Sequence, residues 1–176
     1  MAQQHAKRRV THTTGRNVSF YTLEVFIISG PMTDSFVKKN REISRTIQIR
    51  GDQTLEDLHY AIFEAFDREE EHMYEFQLGG KGPMDPKARR YVLSVSEDYE
   101  LSDHRPAGDI KHTRIEALGL KVDETFGYWF DFGDSWWHQI GVVAIEDNVG
   151  RGRFPKVIKR VGKSPPQYAD WDEEDE

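Results

Sequence analysis

From Val18 to Ser29 the chain reads VSFYTLEVFIIS, with Tyr21, Leu23, Val25 and Ile27 at alternate positions. Period-two spacing of β-branched and aromatic residues predicts a strand that buries one face. The polar GPMTDSFVKKNRE that follows predicts a loop, and ISRTIQIR a second strand with Ile43, Arg45, Ile47 and Ile49 alternating against polar neighbours. Together the two strands predict a wide hairpin. The period then changes: Leu55, Leu58, Ile62 and Phe66 recur at helical spacing behind Thr54, with Asp57 three residues on, which is the signature of an N-capped helix. The acidic run DREEE ends that helix, MYEFQL predicts a third strand, and Gly79, Gly80, Gly82 and Pro83 predict a loop.

Beyond the loop, RRYVLSVS predicts a short fourth strand, EDYELSDHRPAGDIKHT a polar excursion across the surface, and IEALGL one or two helical turns closed by Gly119. Thr125–Phe130 and Trp136–Ile145 predict a β-hairpin around the tip DFGDS, where Gly133 is expected to take positive φ and Asp131, Asp134 and Ser135 to bond the local backbone. RFPKVIKRVG predicts an edge strand, since a leading proline and lysines are tolerated there. The order strand, strand, helix, strand predicts an α+β fold, a single-domain α/β roll with a β-grasp-like opening (β-β-α-β), followed by further strands and the terminal hairpin.

Composition adds bounds rather than a function. At 176 residues one domain is the default, expected over residues 17–165, with a disordered basic tail at 1–16 and a disordered acidic tail at 166–176. Zero cysteines exclude disulfides, thiolate metal sites and a cysteine nucleophile, and fit a reducing cytoplasm. No apolar run approaches the roughly 20 residues that span a bilayer, and the first residues lack the apolar centre of a signal peptide. The expectation is a cytoplasmic protein with no membrane partner.

The formal charge of −7 argues against a domain that coats nucleic acid all over, yet it is unevenly spread. Lys7, Arg8, Arg9 and Arg16 lie in a start without acids, and the chain closes on DWDEEDE. Between Arg151 and Lys163 stand Arg151, Arg153, Lys156, Lys159, Arg160 and Lys163 with no acid among them. These can bind phosphates, with Phe154, Tyr168 or Trp171 available to stack, although a solvated surface is the commoner use of such a run. PPQY near the end has the form of a polyproline turn.

The tripeptide Asp131-Phe132-Gly133 matches the metal-binding DFG of protein kinases, but the glycine-rich turn, the strand lysine and the catalytic-loop pattern are missing. As a site in its own right, the hairpin offers Asp131, Asp134 and His138, whose carboxylates and imidazole can act as acid and base, or hold a metal together with His72. The spacing of close histidine pairs common in metal sites is absent. GRGRF lacks the lysine and hydroxyl of a phosphate-binding loop, no Gly-x-Gly-x-x-Gly or Gly-x-Ser-x-Gly occurs, and no small-molecule cofactor is expected.

TLEDLHYAIFEAF, HMYEFQL and YWFDFGDSWWHQI, in this order, resemble the plasmid pRiA4b ORF-3-like proteins over roughly residues 18–168. The family's pattern of tyrosine, aspartate, phenylalanine, glycine, aspartate, any residue, tryptophan, any residue, histidine falls on Phe130 to His138, with phenylalanine at the tyrosine place. The family's histidine-any-histidine segment keeps His72 and has Tyr74 at the second histidine. A cysteine that many relatives carry near the Pro-Pro segment is missing. The resemblance implies an α+β roll, a passenger gene of plasmids and insertion elements, and no established activity.

Two functional readings remain. The first is a non-enzymatic binding module that recognises a protein or nucleic acid through the 131–138 hairpin tip, with Trp136, and the basic segment 151–163. The other is a metal-dependent hydrolase or nuclease using Asp131, Asp134 and His138.

Overall fold

In the computed structural model, which describes residues 17–94, 105–147 and 151–172, the chain forms one eight-stranded sheet. The elements are β1 (Phe20–Ser29), α1 (Asp34–Lys39), β2 (Ser44–Arg50), α2 (Leu55–Ala65), β3 (Tyr74–Leu78), β4 (Arg89–Val92), β5 (Gly108–Asp109), β6 (Thr125–Phe130), β7 (Trp136–Glu146) and β8 (Lys156–Val161). Their order across the sheet is β5-β4-β3-β6-β7-β1-β2-β8. Every neighbouring pair is antiparallel except β4 and β5. The fold is α+β. The β6–β7 hairpin is inserted between the first and third strands of the β-β-α-β opening.

Alternation decides which residues enter the core. Tyr21, Leu23 and Val25 of β1, Ile47 and Ile49 of β2, Tyr74, Phe76 and Leu78 of β3, Phe126, Tyr128 and Phe130 of β6, and Trp136, Ile140 and Val142 of β7 all join one buried cluster. Helix α2 covers that face through Leu55, Leu58 and Ile62. It starts at a capping box, in which Thr54 Oγ1 accepts from the Asp57 amide while the Asp57 carboxylate accepts from the Thr54 amide. It ends where the Arg45 guanidinium, buried on the same face, and the Arg160 guanidinium both donate to the Ala65 carbonyl. Cations at a helix C-terminus satisfy orphan carbonyls and oppose the dipole. Arg160 is therefore drawn away from the basic surface it was expected to join.

Three local expectations change. The segment expected as a loop after β1 holds α1, a six-residue helix capped by Thr33, too short to display a helical period; Phe36 turns its ring toward the core. The excursion contains β5, because the fully buried Ile110 pulls it in against β4; residues 95–104 of that stretch lie outside the described residues. From 166 onward, Gln167 and Tyr168 dock on Glu69, Glu70 and His72 of the connection between α2 and β3, so at least this part of the expected tail is held. Residues 1–16 and 173–176 of the two tails lie outside the described residues. Among the described residues, no helix is long and apolar enough to cross a membrane.

Candidate functional site

The β6–β7 hairpin presents different chemistry on its two faces. The tip is built by Asp131, whose Oδ1 accepts from the amides of Gly133 and Asp134 at 3.1 and 3.2 Å and whose carbonyl accepts from the Ser135 amide at 2.6 Å. The left-handed backbone falls on Asp131 (φ 59°) and Ser135 (φ 56°), not on Gly133 as expected. Aspartate tolerates that region because its carboxylate can bond the adjacent amides. Asp134 is exposed, and the Asp131 amide is tied to the Met73 carbonyl at the start of β3.

On the helix-covered side, His138 is 1% exposed and both its ring nitrogens are engaged. Nδ1–H donates to the Tyr128 carbonyl at 3.1 Å, and Nε2 accepts from the Arg68 guanidinium at 2.7 Å. Burial, with Arg68 beside it, holds the His138 imidazole well below its ordinary pKa. Arg68 lies against the rings of Phe66, Phe130 and Trp136, and its own pKa falls to about 10 through burial. A second chain runs alongside: the Tyr128 hydroxyl donates to His59 Nδ1 at 2.6 Å, and His59 Nε2–H donates to Glu71 at 2.9 Å. His59 stacks on Tyr74 at 3.6 Å, and its pKa drops to about 3, first through burial and then through Arg68. A carboxylate, an imidazole and a hydroxyl in line resemble a nucleophile triad, but Tyr128 is fully buried and burial raises its pKa well above normal. The chain cross-braces α2 and the sheet and offers no accessible nucleophile.

The residues expected to act together are separated. His72 approaches Asp131 at 3.5 Å and bonds Tyr168 at 2.8 Å, while Tyr168 donates to Glu70, which lifts the Tyr168 pKa to about 12. His138 points inward beneath them, and Asp131 spends one carboxylate oxygen on the turn. Among the described residues, no group of three or more histidine, aspartate or glutamate side chains is placed to hold a metal ion. Trp136, expected on the recognition surface, is 1% exposed instead; strand alternation puts it inward, and a Cβ on Gly30 would overlap its ring.

The opposite face carries no helix among the described residues. Here Trp129 stacks on Trp137 at 4.7 Å with an interplanar angle of 9°, and Phe132 of the tip lies 4.2 Å from Trp129. The strand register carries this face across the sheet: Gln77, Gly127, Gln139 and Phe26 form one row, and Gly141, Glu24, Thr46 and Lys159 another. Lys156 lies opposite Gln48 on the same face, above the Phe154 ring. Arg151, Arg153, Lys159 and Lys163 are exposed as well. Glu75, also on this face, is closed off by a bidentate pair to Arg90 at 2.6 and 2.9 Å.

The sequence reading missed His59, Arg68, Tyr128 and Glu71. The signal for His59 was present, a polar residue four positions after Leu55 inside an apolar helical stripe; Arg68 lies beyond the helix, where no period applies.

The model of the family described as plasmid pRiA4b ORF-3-like protein matches residues 35–170, from the first helix through the hairpin to the docked C-terminal segment. The chain belongs to the plasmid pRiA4b ORF-3-like family. Its hairpin signature is thereby located: Asp131 builds the tip, and Trp136 and His138 build the core. A similar solved structure is the crystal structure of a protein of unknown function from Methanosarcina mazei Go1, 22% identical, with a TM-score of 0.60 over 81% of this chain and 70% of that one. At that identity the likeness concerns the fold. No curated protein matches the chain.

Proposed function

We propose that this pRiA4b ORF-3-like protein is a non-enzymatic binding module that takes up single-stranded nucleic acid on the helix-free face of its sheet. The observation that carries this reading is the shared face of the Phe132–Trp129–Trp137 ring series and of Lys156 and Lys159. Aromatic side chains stack on bases whatever their identity, while lysines along the same surface neutralise phosphates, which is how single strands are held without a sequence code. A duplex fits this face less well, since its bases are already stacked. Arg151 and Arg153 extend the basic side, whereas Arg160 serves the end of α2. The overall charge of −7 makes association dependent on this local patch, so binding should weaken steeply with salt.

The test is fluorescence anisotropy with labelled single-stranded DNA and RNA of about a dozen nucleotides, a length in the range that one such face covers. Binding at low salt, weaker binding to duplex, and a loss of about tenfold or more in Lys156→Ala/Lys159→Ala are expected. No binding at low salt, or binding indifferent to that double substitution, sinks the proposal.

A further inference from the structure

Between the side chains of Gln139 on β7 and Gln77 on β3 lies Gly127 on β6, all three in one cross-strand row on the helix-free face. Two strand spacings, roughly 10 Å, separate the glutamine positions, and the glycine between them leaves the floor bare. Packing does not demand that glycine. A Cβ at Gly127 would meet Gln77 at 3.7 Å, an ordinary van der Waals contact, and its φ is not in the left-handed region. A glycine in a strand interior that neither backbone nor packing requires costs about 0.5–1 kcal/mol against alanine and often marks a place where something else approaches closely.

The gap is walled. It opens into a pocket with Trp137 and Ile28 on one side and the loop carrying Lys81 on the other. The Gln139 amide is exposed and makes no hydrogen bond with the described residues. The Gln77 amide is buried beneath Met84 and engaged at both ends, its Oε1 accepting from the Met84 amide at 3.0 Å and its Nε2 donating to the Met84 sulfur at 3.6 Å. Thus one ring wall, a bare floor and the exposed Gln139 amide, which presents both a donor and an acceptor, surround the gap, with an ammonium group at the rim.

We infer that this slot receives one nucleobase of the bound strand, Trp137 lying against it, Gln139 reading its edge and Lys81 meeting its phosphate. The inference rests on the single-strand reading above and adds a position at which bases are distinguished. A sugar ring also fits against a tryptophan beside an amide, but the cation at the rim and the lysines on the same face favour a nucleotide.

The experiment is two-dimensional NMR of the full chain titrated with each of the four ribonucleoside monophosphates and, separately, with a methyl glucoside. It is repeated on Gly127→Val and Gln139→Ala, with urea unfolding to verify each fold. The expected result is movement of the Trp137 indole and Gln139 amide signals with at least one nucleotide, at least tenfold weaker in Gly127→Val and with altered base preference in Gln139→Ala. Should Gly127→Val fold poorly, the exposed Gln139→Ala carries the decision alone. Nucleotide binding unchanged in both variants, no nucleotide binding, or response to the glucoside alone overturns the slot. Oligonucleotide binding that ignores Gly127→Val rejects the slot and leaves the wider proposal standing. Mononucleotide binding without oligonucleotide binding does the reverse.

Discussion

Trp136 and Trp137 are adjacent in sequence and belong to different parts of the molecule. Trp136 faces α2 with His138, among rings and a buried guanidinium; Trp137 faces away from α2 with Gln139, stacked on Trp129. Most of the hairpin signature shared with the family follows the inner face and the turn. What that comparison teaches is that the most recognisable residues here build the core and the turn, while the residues of the proposed binding face are those interleaved with them.

The largest expected effect separates the two tryptophans directly. Trp136→Ala empties a fully buried site and should cost about 3–5 kcal/mol of stability, enough to unfold many domains of this size. Trp137→Ala removes a half-exposed ring and should cost about 1 kcal/mol, the worth of one aromatic pair, while weakening oligonucleotide binding by about tenfold, the value of one stacked base. Urea unfolding and anisotropy on the two variants check this. Equal losses of stability would erase the distinction between the faces.

A smaller effect sharpens the inner face alone. His59 and His138 are held neutral, their folded pKa values lying below the unfolded value near 6.5. The unfolded chain then binds more protons, so their contribution is complete above about pH 6.5 and is lost as the pH falls toward the folded values, about 3 for His59. Each histidine should remove up to about 1.4 kcal/mol per pH unit within that window. Urea midpoints should therefore drop between pH 7.5 and pH 5, and less so in His59→Gln. A midpoint indifferent to pH across this range contradicts the buried neutral imidazoles.

Much of the fold was legible from period alone. The switch from alternation in β1 and β2 to a stripe at Leu55, Leu58 and Ile62 placed α2 with its cap, and the positions Trp136, His138, Ile140 and Val142 were rightly grouped on one face. Which face met the helix was not legible, because Trp137, Val143 and Gly141 are as apolar as their neighbours. Naming Trp136 as a surface residue was the cost of that ambiguity. Arg68 and Glu71 follow α2 in a charged run that reads as solvated, and only the closure of the sheet over that end buries Arg68. The left-handed turn at Asp131 escaped because glycine is the default expectation for positive φ, whereas here the side-chain bonds of aspartate stabilise it.

The smallest effect concerns the outer face. Glu24 stands in the same row as Lys159, with Thr46 between them, so a phosphate held at Lys159 would lie roughly 10 Å from its carboxylate. In a water-like dielectric that repulsion is about 0.4 kcal/mol, equivalent to about a twofold change in affinity. Glu24→Gln should therefore bind a single strand about twice as tightly at low salt, and the gain should shrink as salt is raised. Glu75 lies on the same face but is fully buried and paired with Arg90, so Glu75→Gln should destabilise the fold by breaking that pair, with no matching gain in affinity. Anisotropy and urea unfolding on both variants read the contrast. A gain from Glu75→Gln and none from Glu24→Gln would move the phosphate path away from β8 and toward β3.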